Sequence, residues 1–329
     1  MTDPSHPTAD EVLEGIDLTG QTVAITGASG GIGLEGARSL AAAGAHVICL
    51  SRRLDALEQG AQTIREQHPE AEVSVLQVDL ADQASVVAAG DAIESGPLAG
   101  GQSLDVLINN AGVMCCPWGT TADGFERQFG TNHLGHARLT SVLAPALRRA
   151  EAPRVVTLSS SGHSIAPVDL DDPNFDTTEY DPWVAYGRSK SANALFALEL
   201  ARRLDGDGLS FSVHPGMILT DLGRHLTAET MAQLQQRMAD RETAAGRPAP
   251  DSTEALDFKS IPQGAATSVW AATSPDLVDH NGAYLGDVSL GVLDGNTSTN
   301  GYQPHIADID TAERLWSVSE ALLDTALTV

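Results

Sequence analysis

A short apolar run, Val23 to Ile25, leads into Thr26-Gly27-Ala28-Ser29-Gly30-Gly31-Ile32-Gly33 and then a helix-like stretch, Leu34 to Ala43. A strand that ends in a glycine-rich turn and feeds directly into a helix admits few folds. Gly27 allows the tight turn, Gly31 lets the backbone approach a bound group, and Gly33 lets helix pack closely on strand. The helix start offers free N–H groups and a positive dipole end, which suits phosphate. The same alternation continues along the chain. Strand-like runs fall at 46–50, 73–78, 105–109, 154–159, 209–214 and 283–286, separated by helix-like segments at 54–67, 83–95, 124–150, 185–204 and 263–273. This pattern predicts an α/β fold, a doubly wound parallel sheet with helices on both faces and right-handed crossovers. Ligands bind such sheets outside the carboxyl ends of the strands.

The 329 residues and their 42% hydrophobic content suit one large domain. Residues 1–16 read as a docked appendage in which Thr8 and Glu11 form a capping box. Residues 17–290 read as the sheet domain, with insertions at 164–182 and 221–262. Within the second, a polar helical stretch, Thr227 to Arg241, precedes a Gly/Pro-rich loop, Gly246 to Pro250. Residues 291–329 read as a C-terminal extension packed on the same domain, ending in an apolar helix, Ala312 to Leu327. No apolar run reaches the ~18 residues of a membrane span. The start of the chain does not resemble a signal peptide. Cys49, Cys115 and Cys116 form no disulfide framework, so a reducing cytoplasm is expected. A formal charge of −25 opposes nucleic-acid or anionic-membrane partners.

Chemistry is signalled by Tyr186-Gly-Arg-Ser-Lys190, which holds one of only two lysines in the chain. An i, i+4 pair shares a helix face, bringing ammonium near phenol. A free tyrosine titrates near ~10, and a neighbouring cation favours the phenolate, making it able to exchange a proton with an alcohol.

With these motifs the chain resembles the classical short-chain dehydrogenases/reductases, and most closely the branch of retinol dehydrogenases and the WW-domain oxidoreductase. The resemblance runs from about Asp17 to Leu285. It rests on TGASGGIG at 26–33, DL at 79–80, NNAG at 109–112, NHLGH at 132–136, VVTLSSSGH at 155–163, YGRSK at 186–190 and HPGMILT at 214–220. It implies a Rossmann-type fold and hydride transfer between a nicotinamide cofactor and an alcohol or carbonyl. Tyr186 is then the general acid/base, and Lys190 tunes it and bonds the nicotinamide ribose. Ser160 bonds the substrate oxygen, with Ser159 and Ser161 as nearby alternatives, and Asn132 links the lysine to water. The implied dinucleotide site comprises Gly27, Ser29, Gly31, Ile32, Gly33, Ser51, Arg52, Asp79, Leu80, Asn109, Ala111, Gly112, Pro215, Gly216 and Thr220, besides Tyr186 and Lys190.

At the end of the second strand the chain reads Ser51-Arg52. A carboxylate here would bond a ribose 2′-hydroxyl; its absence and the following guanidinium favour NADP, with NAD as the alternative. A second basic residue common in NADP-selective members is replaced by Gly30. His133, His136 and His163 match no metal-ligand spacing, and no metal is expected. Ile165, Val168, Phe175, Trp183, Met217, Ile218, Leu219, Leu222 and Leu226 punctuate the insertions and predict a lipophilic alcohol or carbonyl substrate. Homo-oligomerisation is left open. A catalytically silent dinucleotide-binding regulator is the alternative function. A sugar-nucleotide epimerase or dehydratase, whose relatives normally use G-x-x-G-x-x-G spacing, fits less well.

Overall fold

The computed structural model describes residues 6–244, 258–294, 297 and 299–329. The expected Gly246–Pro250 loop lies outside the described residues. Strands β1 (Thr22–Thr26), β2 (His46–Ser51), β3 (Val73–Gln77), β4 (Val106–Asn109), β5 (Arg154–Leu158), β6 (Leu209–His214), β7 (Tyr284–Gly286) and β8 (Ser289–Leu290) form one sheet. Its order is β8-β7-β6-β5-β4-β1-β2-β3, parallel throughout except for the antiparallel β8 edge. The order reverses between β1 and β4, which opens a crevice beyond their carboxyl ends.

Alternation within the strands builds two cores. Ala24, Leu107 and Val155 face one apolar cluster, while Val23, Ile25, Val106, Ile108, Val156 and Leu158 face the other. Both faces are therefore covered, which explains why these strands read as continuous apolar runs. Helices α2 (Gly31–Ala42) and α3 (Leu54–Gln67) cover the second face, together with α8 (Ile261–Thr273). The first face carries α4 (Gln83–Ser95), α5 and α6 (Pro182–Arg203). Helix α5 is not the single run expected over 124–150. It comprises Arg127–Phe129, a five-residue π-turn at Gly130–Leu134, and Gly135–Leu147. One further helix, α7 (Ala228–Ala244), lies in the second insertion.

Both ends of the chain pack on this body. Thr8 and Glu11 cap α1 (Ala9–Val12) reciprocally, and Ala9 and Leu13 join the second core. Near the other end, α9 (Ile309–Leu323) lays Trp316 flat on Phe196 of α6, ring centroids 5.6 Å apart. In the first insertion the Asp172 carboxylate gathers the Asp176, Thr177 and Thr178 N–H groups into a turn. No helix of the described residues is long and apolar enough to cross a membrane.

Candidate active site

Strand β5 ends at Leu158, and the three serines that follow have three different partners. Ser159 Oγ is buried and donates to the Lys190 carbonyl at 2.9 Å. The Ser161 N–H donates to His214 Nδ1. Ser160 Oγ accepts from the Gly162 N–H at 3.0 Å and, across Gly162, adjoins the Tyr186 ring. Only Ser160 thus faces the tyrosine. The Tyr186 ring lies against Gly162, where an added Cβ would stand 2.6 Å from Cε1.

Helix α6 carries both Tyr186 and Lys190 and starts from the Asp181 cap with Pro182 in its first turn. Lys190 Nζ lies 5.8 Å from the Tyr186 ring centroid and donates to the Leu158 carbonyl at 2.9 Å. Burial pushes the ammonium down to about 8. Burial also pushes the phenol up to about 12, while the neighbouring Ser160 hydroxyl pulls it down. The expected lowering of Tyr186 by Lys190 is corrected here: burial raises the phenol, the lowering influence is Ser160, and Nζ is engaged with the Leu158 carbonyl.

Asn132 lies in the π-turn, fully buried. Its amide donates to the Val113 carbonyl and Ser189 Oγ, each at 2.9 Å, and accepts from the Val113 N–H. A Cβ on Gly112 would meet Asn132 Oδ1 at 3.3 Å and Lys190 Nζ at 3.7 Å, so the amide adjoins the lysine. The Asn132 carbonyl accepts from His136 Nδ1 at 2.8 Å, and His136 Nε2 is 2.9 Å from Thr26 Oγ1. His133 bonds Ser319 in α9. These histidines join elements of the scaffold, and burial depresses both, His136 to about 4 and His133 to about 3.

One cleft of ≈ 1400 Å³ opens over the strand ends. Gly27, Ser29, Gly31, Ile32 and Gly33 line it, as do Ser51 and Arg52 after β2 and Asp79 and Leu80 after β3. Ala111, Gly112, Pro215, Gly216 and Thr220 also face it, together with Ser160, Tyr186 and Lys190. Asn109 does not. It is fully buried and donates to Thr140 Oγ1 at 3.0 Å. Its neighbour Asn110 lines the cleft instead, with Nδ2 donating to the Thr26 carbonyl. Gly27 has φ +71°, and an added Cβ on Gly33 would stand 2.5 Å from the Gly27 carbonyl oxygen. Turn and close packing each require glycine there.

Around the phenol, Trp183 and Cys115 pack with Met114, Ile165, Leu226 and Leu234. Trp183 Nε1 donates to the Thr230 carbonyl at 2.8 Å, tying α6 to the start of α7. Met217, Ile218, Leu219 and Leu222 line the cleft as expected. Val168 and Phe175 do not. Val168 packs toward the first core, and Phe175 is held between Tyr180 and Arg188.

A family model described as "short chain dehydrogenase" matches residues 21–231. The chain belongs to the short-chain dehydrogenases. It is 39% identical over 315 residues to the "Probable oxidoreductase" of Streptomyces antibioticus, covering 94% of this chain and 100% of that one. Retinol dehydrogenase 12 of Mus musculus is 38% identical over 309 residues, covering 94% and 88% respectively. Among solved structures, an uncharacterized protein from Mycobacterium Paratuberculosis superposes with a TM-score of 0.71 at 33% identity, over 98% of this chain and 100% of that one. The chain is accordingly an NAD(P)-dependent dehydrogenase/reductase close to the retinol dehydrogenase branch.

This short-chain dehydrogenase also places at its cleft several residues that sequence reasoning passed over: Arg127, Arg224 and Met231, with Met114 and Leu234. No local pattern marked them, because long-range packing alone brings α5 and the second insertion to β2. Among the described residues Arg52, Arg127 and Arg224 have no carboxylate within ion-pair distance. Their charges act together on His225 and, after its own desolvation, lower its pKa.

Proposed function

We propose that this enzyme interconverts a hydrophobic alcohol and its ketone or aldehyde with NADP(H), using Tyr186 as the general acid/base. The carrying observation is the meeting of Ser160 Oγ and the Tyr186 ring at Gly162, beside Lys190 and inside an apolar wall. The cleft fits a dinucleotide. Gly30 caps α2 without any side-chain hydrogen bond, leaving the first-turn N–H groups of a 12-residue helix for phosphate. The volume of ≈ 1400 Å³ exceeds the ~300–1,000 Å³ of ordinary ligand pockets, leaving room for a substrate beside it.

Bound there, the dinucleotide supplies or accepts the hydride. Ser160 Oγ bonds the substrate oxygen and orients it toward the phenol. Tyr186 stays protonated at neutral pH and gives its proton to that oxygen in reduction; in oxidation it takes the proton back. Lys190 provides the nearby positive charge, and Asn132 holds the Val113 segment and α6 around it. Met114, Ile165, Trp183, Leu226 and Leu234 exclude water from the reacting centre and favour a lipophilic substrate.

NADP is favoured over NAD because Ser51 offers no carboxylate and its hydroxyl is turned to Ser29 Oγ, 3.0 Å away. Arg52, Arg127 and Arg224 line the same cleft with no ion-pair partner among the described residues, in a chain of net charge −25. A 2′-phosphate suits this arrangement. Purified enzyme assayed with NADPH and NADH against aldehydes from butanal to dodecanal, and the matching methyl ketones, tests the reading. Turnover that prefers NADPH and rises with chain length is expected. Preference for NADH, or for a sugar or small acid, would contradict it.

A further inference from the structure

His163 closes the single helical turn that follows Ser160 and is fully buried. Its backbone and its ring reach back to one atom. The N–H donates to the Ser160 carbonyl at 3.1 Å, and Nδ1 lies 2.5 Å from the same oxygen. A carbonyl only accepts, so Nδ1 carries the proton. The backbone N–H of Gln303, 140 residues further along the chain, donates to Nε2 at 3.2 Å. Together these contacts select one neutral tautomer.

More of the C-terminal extension converges here. His305 Nε2 is 3.1 Å from the His163 carbonyl. The Tyr284 ring packs edge-on to the imidazole with centroids 5.2 Å apart, and Tyr302 lies 5.6 Å beyond. Between Ser160 and His163, Gly162 carries the Tyr186 ring on its backbone. Rotation of the Ser160 peptide would therefore shift the serine hydroxyl and the surface supporting the tyrosine together.

We propose that His163 is a positioning residue, through which residues 301–306 of the C-terminal extension fix the Ser160 peptide and aim its hydroxyl at Tyr186. This rests on the role proposed for Ser160, and the two ideas fail separately. His163→Leu should lower kcat about a hundredfold, the scale of an ångström's misplacement, while NADPH affinity is unchanged. His163→Asn, which can keep a donor near Nδ1, should restore most of that loss. Gln303→Pro removes that N–H and draws φ from −91° toward proline's value of about −65°, and should lower kcat about tenfold. In a Ser160→Ala background neither change should cost more, since both act through that hydroxyl. Isotope-labelled tyrosine gives a readout free of substrate: the Tyr186 signal, assigned by its loss in Tyr186→Phe, should move alike in His163→Leu, Gln303→Pro and Ser160→Ala. Wild-type turnover and an unmoved signal in His163→Leu and Gln303→Pro, or losses that multiply with Ser160→Ala, would overturn the proposal. Normal turnover in Ser160→Ala would instead overturn the role of the serine itself.

Discussion

The floor of the cleft and its wall are built by different means. On the floor, hydrogen bonds fix each group: Ser160 Oγ to the Gly162 N–H, Lys190 Nζ to the end of β5, and Asn132 from the π-turn of α5 to Val113 and to Ser189 of α6. The wall comes from the two insertions together with Met114 and Cys115 after β4 and Trp183 of α6, and is held mostly by apolar contact, with Trp183 Nε1 to Thr230 as one of its directional ties. Hydrogen-bonded geometry tolerates few substitutions, whereas an apolar wall accepts any side chains of suitable volume. The floor therefore states a reaction, and the wall states only the broad character of a substrate.

That contrast can be broken or sharpened experimentally. Tyr186→Phe keeps the ring on Gly162 and removes the transferable proton, so kcat should fall by ~10²–10⁴ while NADPH still binds. Near-normal turnover would remove Tyr186 from the mechanism. At the mouth, Arg52→Ala should weaken NADPH by about 1.5–3 kcal/mol, roughly ten- to a hundredfold, and leave NADH little changed. Equal losses for both dinucleotides, measured by fluorescence titration, would mean that Arg52 does not read a 2′-phosphate. Changes to the wall should be milder and graded. Each methylene added to an aldehyde should contribute up to ~0.8 kcal/mol to kcat/KM until the pocket is full. Leu234→Ala should shift the best chain length upward with little effect on short substrates. A uniform drop across the series would instead place Leu234 in the floor's support.

Legibility in the sequence follows the same division. The inner strands stand out because both faces of the sheet are covered, so apolar runs such as Val23–Ile25 and Val155–Val156 have no polar interruption. The glycine turn was legible because Gly27 and Gly33 answer local geometric demands. Helix α5 was read as continuous because a π-turn leaves no mark in hydrophobic periodicity, and that turn is where Asn132 sits. Asn109 and Asn110 were confused because adjacent identical residues carry no facing information. Strand alternation sends the first into the core and the second to the cleft. Val168 and Phe175 failed as wall residues because an apolar residue in an insertion serves scaffold as readily as pocket. Arg127, Arg224 and the link from Gln303 to His163 depend on contacts between distant segments, which no local pattern announces.

The central claim is that Tyr186 moves the proton under the charge of Lys190. Its most direct test is the pH dependence of kcat/KM for reduction and oxidation with one substrate pair. Lys190 is held down to about 8 by burial and is charged below that pH. Tyr186, held up to about 12, keeps its proton over the same range. Reduction needs both groups protonated, so its rate should be level in the neutral range and fall as pH rises through about 8. Oxidation needs the phenolate to accept a proton, so it should rise only as pH climbs beyond that window toward the Tyr186 transition at about 12. A reduction rate that climbs with pH, or stays level well beyond the Lys190 transition, would contradict the account.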